Sequence, residues 1–177
     1  MTLFATNDPQ TRSNQRVDFA KRLTWHRVRT RTIMDLTGLT RNRLAGCRRR
    51  WRVPEDSRLR GDVPTSLNIF LEPLAHRSET AALLSICKAF DALPIRERDY
   101  APDGTLLLDV SIRLCDAFEA YQSLWPESEV EFDDLMLLIR ELDKGELIRL
   151  GRCKGCQSMI LIASFDGLRP PCSHCER

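Results

Sequence analysis

The sequence predicts a mainly α-helical protein with a small four-cysteine module at its C-terminal end, and three observations lead there. Apolar residues recur at steps of three and four through most of the 177 residues, the period of helices with one buried face. Four of the seven cysteines form two C-x-x-C pairs near the end. The net charge of +2 hides a strong segregation: residues 12–60 hold 15 Lys+Arg against 4 Asp+Glu, residues 61–150 hold 8 against 18, and residues 151–177 hold 4 against 2. Composition and period together divide the chain into a basic helical segment over 1–52, a connector over 53–77, an acidic helical body over 78–150 and the cysteine module over 151–177. A hydrophobic content of 42% is enough for a buried core. No apolar run reaches about 18 residues, the length of a membrane span. The first 25 residues lack the apolar block of a secretion signal, so a cytoplasmic protein with no membrane contact is expected.

Met1 to Arg12 is polar and reads as a loose tail. Arg16, Lys21, Arg22, Arg27, Arg29 and Arg31 then interleave with Val17, Leu23, Trp25 and Val28, the pattern of an amphipathic support helix. Next comes spacing that fits a helix-turn-helix. With Gly38 as the turn, Ile33 falls five before it, Leu39 one after, Leu44 six after and Cys47 nine after, as two crossing helices need in order to pack. Thr40 is a suitable N-cap, and Leu44, Cys47 and Trp51 share an inner face. Gly46 costs this helix about 1 kcal/mol relative to alanine.

The outer face of the same helix offers Arg41, Asn42, Arg43, Arg48, Arg49, Arg50 and Arg52. Guanidinium forks read guanine edges and an amide reads adenine. Arg41 to Arg43, near the helix start, are placed for bases, and the later arginines for phosphates. Duplex DNA is therefore the expected ligand, since phosphate neutralisation dominates such affinity. An arginine-rich helix is also often a merely solvated face.

The connector holds Pro54, Pro64, Pro73 and Gly61 with no sustained period. In the acidic body, Ser78 is the expected cap of a helix whose face is Ala82, Ile86, Ala89 and Phe90, ending before Pro94. After Pro102-Asp103-Gly104, a second helix carries Leu107, Val110, Leu114, Phe118 and Tyr121 until Trp125-Pro126 stops it. A third runs from about Phe132 to Leu142 through Leu135, Leu138 and Ile139, closing at Lys144-Gly145. These stripes read as core, and a body this acidic suits a protein partner better than DNA.

Cys153-Lys-Gly-Cys156, fifteen intervening residues and Cys172-Ser-His-Cys175 have the spacing of a structural four-cysteine zinc site, one ion per chain in a ribbon- or knuckle-like module. Gly155 eases the first turn and Pro170-Pro171 stiffens the approach to the second. Met159-Ile-Leu-Ile162 is a short strand, followed by a turn at Asp166-Gly167. Two pairs at ligand spacing argue against an exchanging dithiol. Four protein ligands leave no open position for catalysis. Cys47, Cys87 and Cys115 read as small buried apolar residues, and His26 and His76 as surface or boundary residues.

This order of features resembles the flagellar transcriptional regulator FlhC family. The resemblance lies in Leu39-Thr-Arg-Asn-Arg-Leu44, the connector around Val63-Pro64, the helical stretch from Ala117 to Leu150 containing Lys-Gly-Glu-Leu, and the cysteine quartet directly after. It implies a DNA-binding transcriptional activator that assembles as a hetero-oligomer with FlhD, four FlhD chains to two of this kind, and turns on flagellar class II operons, with RNA polymerase as a further partner. The family's zinc ligands carry over to Cys153, Cys156, Cys172 and Cys175. A zinc-ribbon adaptor for protein or RNA is the alternative from another class. An enzyme is not expected, since no G-x-S-x-G, P-loop or H-E-x-x-H pattern occurs.

Overall fold

Helix α1 (Pro9–Trp25) begins where the sequence suggested a tail, because Asp8 and Pro9 form a strong start signal. The Asp8 carboxylate accepts from the backbone N–H groups of Gln10 and Thr11, and Pro9 occupies a first-turn position where no N–H is needed. In this computed structural model the described residues are 8–55, 59, 61–62, 64–72, 74–102, 106–167 and 172–175; what was expected of residues 1–7 lies outside them. They contain seven α-helices and one two-stranded sheet, so the protein is mainly helical. They fall into two compact units, one drawn from Met1–Val63, Arg96–Cys115 and Glu131–Asp133, the other from Pro64–Ile95, Asp116–Val130 and Asp134–Arg177.

In the first unit α1 packs on both α2 (Thr30–Thr37) and α3 (Arg41–Arg50). It buries Phe19, Ala20 and Leu23, whereas Trp25, expected on the inner face, is exposed at its end. The chain leaves α1 through Arg27 in the left-handed region, φ +58°, while the Val28 N–H bonds back to the Leu23 carbonyl at 3.0 Å. α2 has no side-chain cap of its own. Its start is held instead by the buried carboxylate of Asp133, which accepts the Arg29 N–H at 2.9 Å, the Arg29 guanidinium at 3.2 Å and the Thr32 hydroxyl. A negative group there complements the helix dipole.

Gly38 closes α2 at φ +66°, where a side chain would be strained, and its N–H reaches the Met34 carbonyl at 2.8 Å. Thr40 caps α3 by accepting the Arg43 N–H. Ile33, Leu39, Leu44 and Cys47 are all buried, as their spacing around Gly38 predicts, while Trp51 is only half-buried. The chain leaves α3 through Arg52, φ +55°, with the Val53 N–H bonded to the Arg48 carbonyl.

The second unit contains α4 (Asn68–Leu71), α5 (Leu74–Ala89), the later parts of α6 (Leu108–Leu124) and α7 (Phe132–Lys144), and strands β1 (Ile148–Arg152) and β2 (Met159–Ala163). The connector thus carries a short helix that buries Phe70 and Leu71. Val63 and Pro73 lie outside the described residues. Ser78 does not cap α5, which starts four residues earlier; its hydroxyl bonds to the Leu74 carbonyl one turn back. The buried face is Ala81, Leu83, Leu84 and Cys87, and Phe90 is exposed. The expected face was therefore rotated by one position, since Leu83-Leu84 carry more apolar area than Ala82 and Ile86.

α6 buries Val110, Leu114, Phe118 and Tyr121, leaves Leu107 out, and stops before Trp125-Pro126. Asp103 and Gly104 before it lie outside the described residues. α7 buries Leu135, Leu138 and Ile139 and ends at Gly145, φ +67°. β1 is a correction to the sequence reading, which left residues 146–150 in the helical body. It pairs antiparallel with β2, from Ile148 opposite Ala163 to Arg152 opposite Met159. A Cβ at Gly151 would come within 2.5 Å of the Ile162 Cδ1, so a larger residue there would require the end of that side chain to turn aside. No helix among the described residues is long and apolar enough to cross a membrane.

Candidate metal centre and basic helix

β1 delivers the chain directly into Cys153, and the turn that follows aims two thiols the same way. The Cys153 N–H donates to the Ser158 carbonyl and the Gln157 N–H returns to the Cys153 carbonyl, both at 2.9 Å. The second pair is shaped likewise by a Cys175 N–H to Cys172 carbonyl bond of 3.1 Å. The result is a cluster of Cys153, Cys156, Cys172 and Cys175 with all four sulfurs within 4.8 Å of one another. Cys153 Sγ lies 3.6 Å from Cys175 Sγ, and Cys156 Sγ lies 3.6 Å from Cys172 Sγ. Four sulfurs held tetrahedrally at about 2.3 Å from one ion would stand about 3.8 Å apart, so the donor set and its spacing fit a metal ion.

The approach is close enough that residue 155 has little freedom: a Cβ on Gly155 would sit 3.2 Å from Cys175 Sγ. Hydrogen bonds set the thiols apart chemically. Backbone N–H groups of Cys156 and Gly155 hold the Cys153 thiol below its ordinary range. The Ser158 hydroxyl and N–H bring Cys156 down to about 6. Cys175 is pushed up to about 12, chiefly because its protonated thiol donates hydrogen bonds to Cys156 and Cys153, with desolvation and the Cys153 charge further opposing its ionisation. A divalent cation removes that opposition and lets all four ionise. Four such ligands would complete a tetrahedral shell around one ion.

The module is fastened to α5 by groups that sequence reasoning did not find. The Arg77 guanidinium donates to both carboxylate oxygens of Asp166, at 2.9 and 2.7 Å, with both side chains only 6% exposed. Asp166 also accepts the Ala163 N–H at 2.8 Å, and Arg77 Nε donates to the Leu71 carbonyl. Ser78 and Ser173 hydroxyls meet at 2.5 Å. An arginine four residues before Ala81 and seven before Leu84, and so on their face, was the one available signal. Pro170 and Pro171 lie outside the described residues.

On α3, Arg41, Asn42 and Arg43 are exposed in the first turn, and Arg49, Arg50 and Arg52 are exposed in and after the last. Arg43 Nη2 donates to the Ser13 hydroxyl at 2.6 Å, tying the turn to α1. Arg50 Nη2 lies 3.2 Å from Cys47 Sγ. Arg48, grouped by sequence with these outward arginines, is instead turned inward: it is 5% exposed and its Nη1 donates to the Thr30 hydroxyl at 2.7 Å. Position explains this, because Arg48 lies one full turn after buried Leu44 and so on the same face. No acidic residue occurs in α3.

No protein-family model matches the chain, and no curated protein matches it.

Proposed function

We propose that this protein is a duplex-DNA-binding transcriptional activator of the FlhC kind. In this reading α2 and α3 act as a helix-turn-helix, and Cys153, Cys156, Cys172 and Cys175 hold a single structural zinc ion. The observation that carries it is the exposed start of α3: Arg41, Asn42 and Arg43 project from a helix whose other side is anchored by Leu44 and Cys47. Arginine and asparagine at the first turn of such a helix are the residues that read guanine and adenine edges in a major groove. Arg49, Arg50 and Arg52 serve the phosphate backbone, and the 15-to-4 excess of basic residues over 12–60 supplies its field. Arg48 is reassigned to holding α3 against α2. Zinc is the metal of choice for four thiolates at this spacing, and it would stabilise a short module that can bury little surface of its own.

By the sequence resemblance, the protein works in the cytoplasm with FlhD, four chains to two, at flagellar class II promoters and beside RNA polymerase. A gel shift tests this: flagellar promoter duplex with the protein alone and with FlhD, at fixed salt, with structured RNA as competitor. A promoter-specific shift that strengthens with FlhD is expected. Equal or better binding to RNA would favour the zinc-ribbon adaptor, because the major groove of RNA does not admit a recognition helix.

A further inference from the structure

The second unit carries an open cavity of about 750 Å³ between α4, the start of α5 and the α6–α7 connection. Its apolar surface is unusual for a free surface. Leu124 is 64% exposed, Ile69 52% and Trp125 42%, and all three line the same space with Val130. Single exposed apolar side chains need no explanation, but a convergent group of them marks a contact site.

The cavity continues along α5. A second hollow of about 460 Å³ shares Leu124 and Trp125 with the first and runs past Ala82 and Ile86 to Met159 of β2. The combined shape is an elongated groove, suited to an extended occupant rather than to a compact small molecule. Trp125 is held as a fixed wall by stacking on buried Tyr121, ring centres 5.4 Å apart. The Tyr121 hydroxyl is tied in turn to Glu79 and, at 2.6 Å, to Ser128.

Charge specifies the occupant. Among the described residues, the first hollow is lined by four carboxylates, the exposed Glu127 and Glu129 with Glu79 and the buried Asp134, against one histidine, His76, and no Lys or Arg. Such a rim repels nucleic acid and attracts cations, and an exposed indole face binds ammonium or guanidinium groups. We propose that this groove docks a basic amphipathic helix of a partner protein, its apolar face on Leu124, Trp125 and Ile69 and its Lys or Arg residues on Glu127 and Glu129. This is the helix-in-groove mode of peptide recognition. It concerns a different surface from α3 and does not depend on DNA binding.

The experiment uses the ¹⁵N-labelled, metal-loaded full chain. It is titrated with a synthetic amphipathic helix of about 14 residues built of Leu and Lys, and separately with the same peptide carrying Glu for Lys. The Lys peptide should shift resonances within 69–86, 124–134 and 158–161, including the Trp125 indole, and bind more weakly at higher salt. Leu124→Ser and the double variant Glu127→Lys with Glu129→Lys should each weaken binding by roughly tenfold or more. These residues are exposed, so an unchanged melting temperature certifies the fold of each variant. Equal binding of the Glu peptide, shifts elsewhere, or no binding at about 1 mM peptide would overturn the proposal. So would a concentration-dependent dimer that protects the same resonances and is lost in Leu124→Ser, which would give the groove to a second copy. Perturbation of the groove by duplex DNA would overturn it as well.

Discussion

Replacing Arg77 by methionine should destabilise the protein by about 3–5 kcal/mol, the usual cost of leaving one member of a buried ion pair without its partner. The structure puts the pair in that regime. Both side chains are 6% exposed, the guanidinium makes two bonds to Asp166, and its Nε satisfies the Leu71 carbonyl. Methionine fills much of the volume but gives Asp166 nothing; among the described residues the carboxylate then keeps only the Ala163 N–H. With a urea slope of about 2 kcal/mol/M, usual for a small protein, a 3 kcal/mol loss lowers the midpoint by about 1.5 M. The assay is urea unfolding followed by circular dichroism at saturating zinc, so that metal occupancy does not differ between variants. The double variant Arg77→Met with Asp166→Asn removes the stranded charge while keeping an acceptor for Ala163. It should regain at least about 1 kcal/mol of the loss. A single variant within about 0.5 kcal/mol of the parent, the size of an ordinary surface change, would refute the reasoning, as would a double variant no better than the single.

Cys153→Ser should lose the metal and drop in solubility; a folded variant that keeps a full zinc equivalent by elemental analysis would sink the four-cysteine assignment. In the parent protein, zinc affinity should rise with pH and its uptake release protons, because protons and ion compete for the same sulfurs; calorimetry in buffers of different ionisation heat reads this, and no release would argue against thiolate ligation. Arg41→Ala with Arg43→Ala should weaken duplex binding without much change in melting temperature, since both side chains are exposed. Unchanged affinity would move the DNA surface elsewhere. Arg27→Gly should stabilise by about 0.5–1 kcal/mol, because arginine at φ +58° carries a left-handed penalty that exceeds the entropy cost of glycine; a lower melting temperature would show that the Arg27 side chain contributes more than its backbone strain.

Local rules carried the reading wherever one signal dominated. Gly38 and Thr40 fix the α2–α3 turn through backbone requirements that act within a few residues, so the burial of Ile33, Leu39, Leu44 and Cys47 around them was legible. The same holds for the stop of α6 before Pro126 and of α7 at Gly145. α5 was harder, because apolar residues stand on several of its sides. Which side is buried depends on what packs against it, and the exposed Phe90 and buried Arg77 show packing overriding pattern. β1 was missed because Ile148 and Leu150 alone are too few to establish alternation; the strand exists through its pairing with β2.

Read along its length, the chain specifies a helical protein with segregated charge and four cysteines at metal-ligand spacing. Other features emerge once it is folded: those sulfurs converge to within 4.8 Å, Arg48 turns inward, Asp133 caps α2 from about a hundred residues away, and Arg77 fastens the cysteine module to α5. The division has one cause. Helix starts, turns and ligand spacings are satisfied by neighbours along the chain, whereas a buried charge or an uncapped helix end is satisfied by whatever group the fold brings near, and sequence distance carries no record of that group.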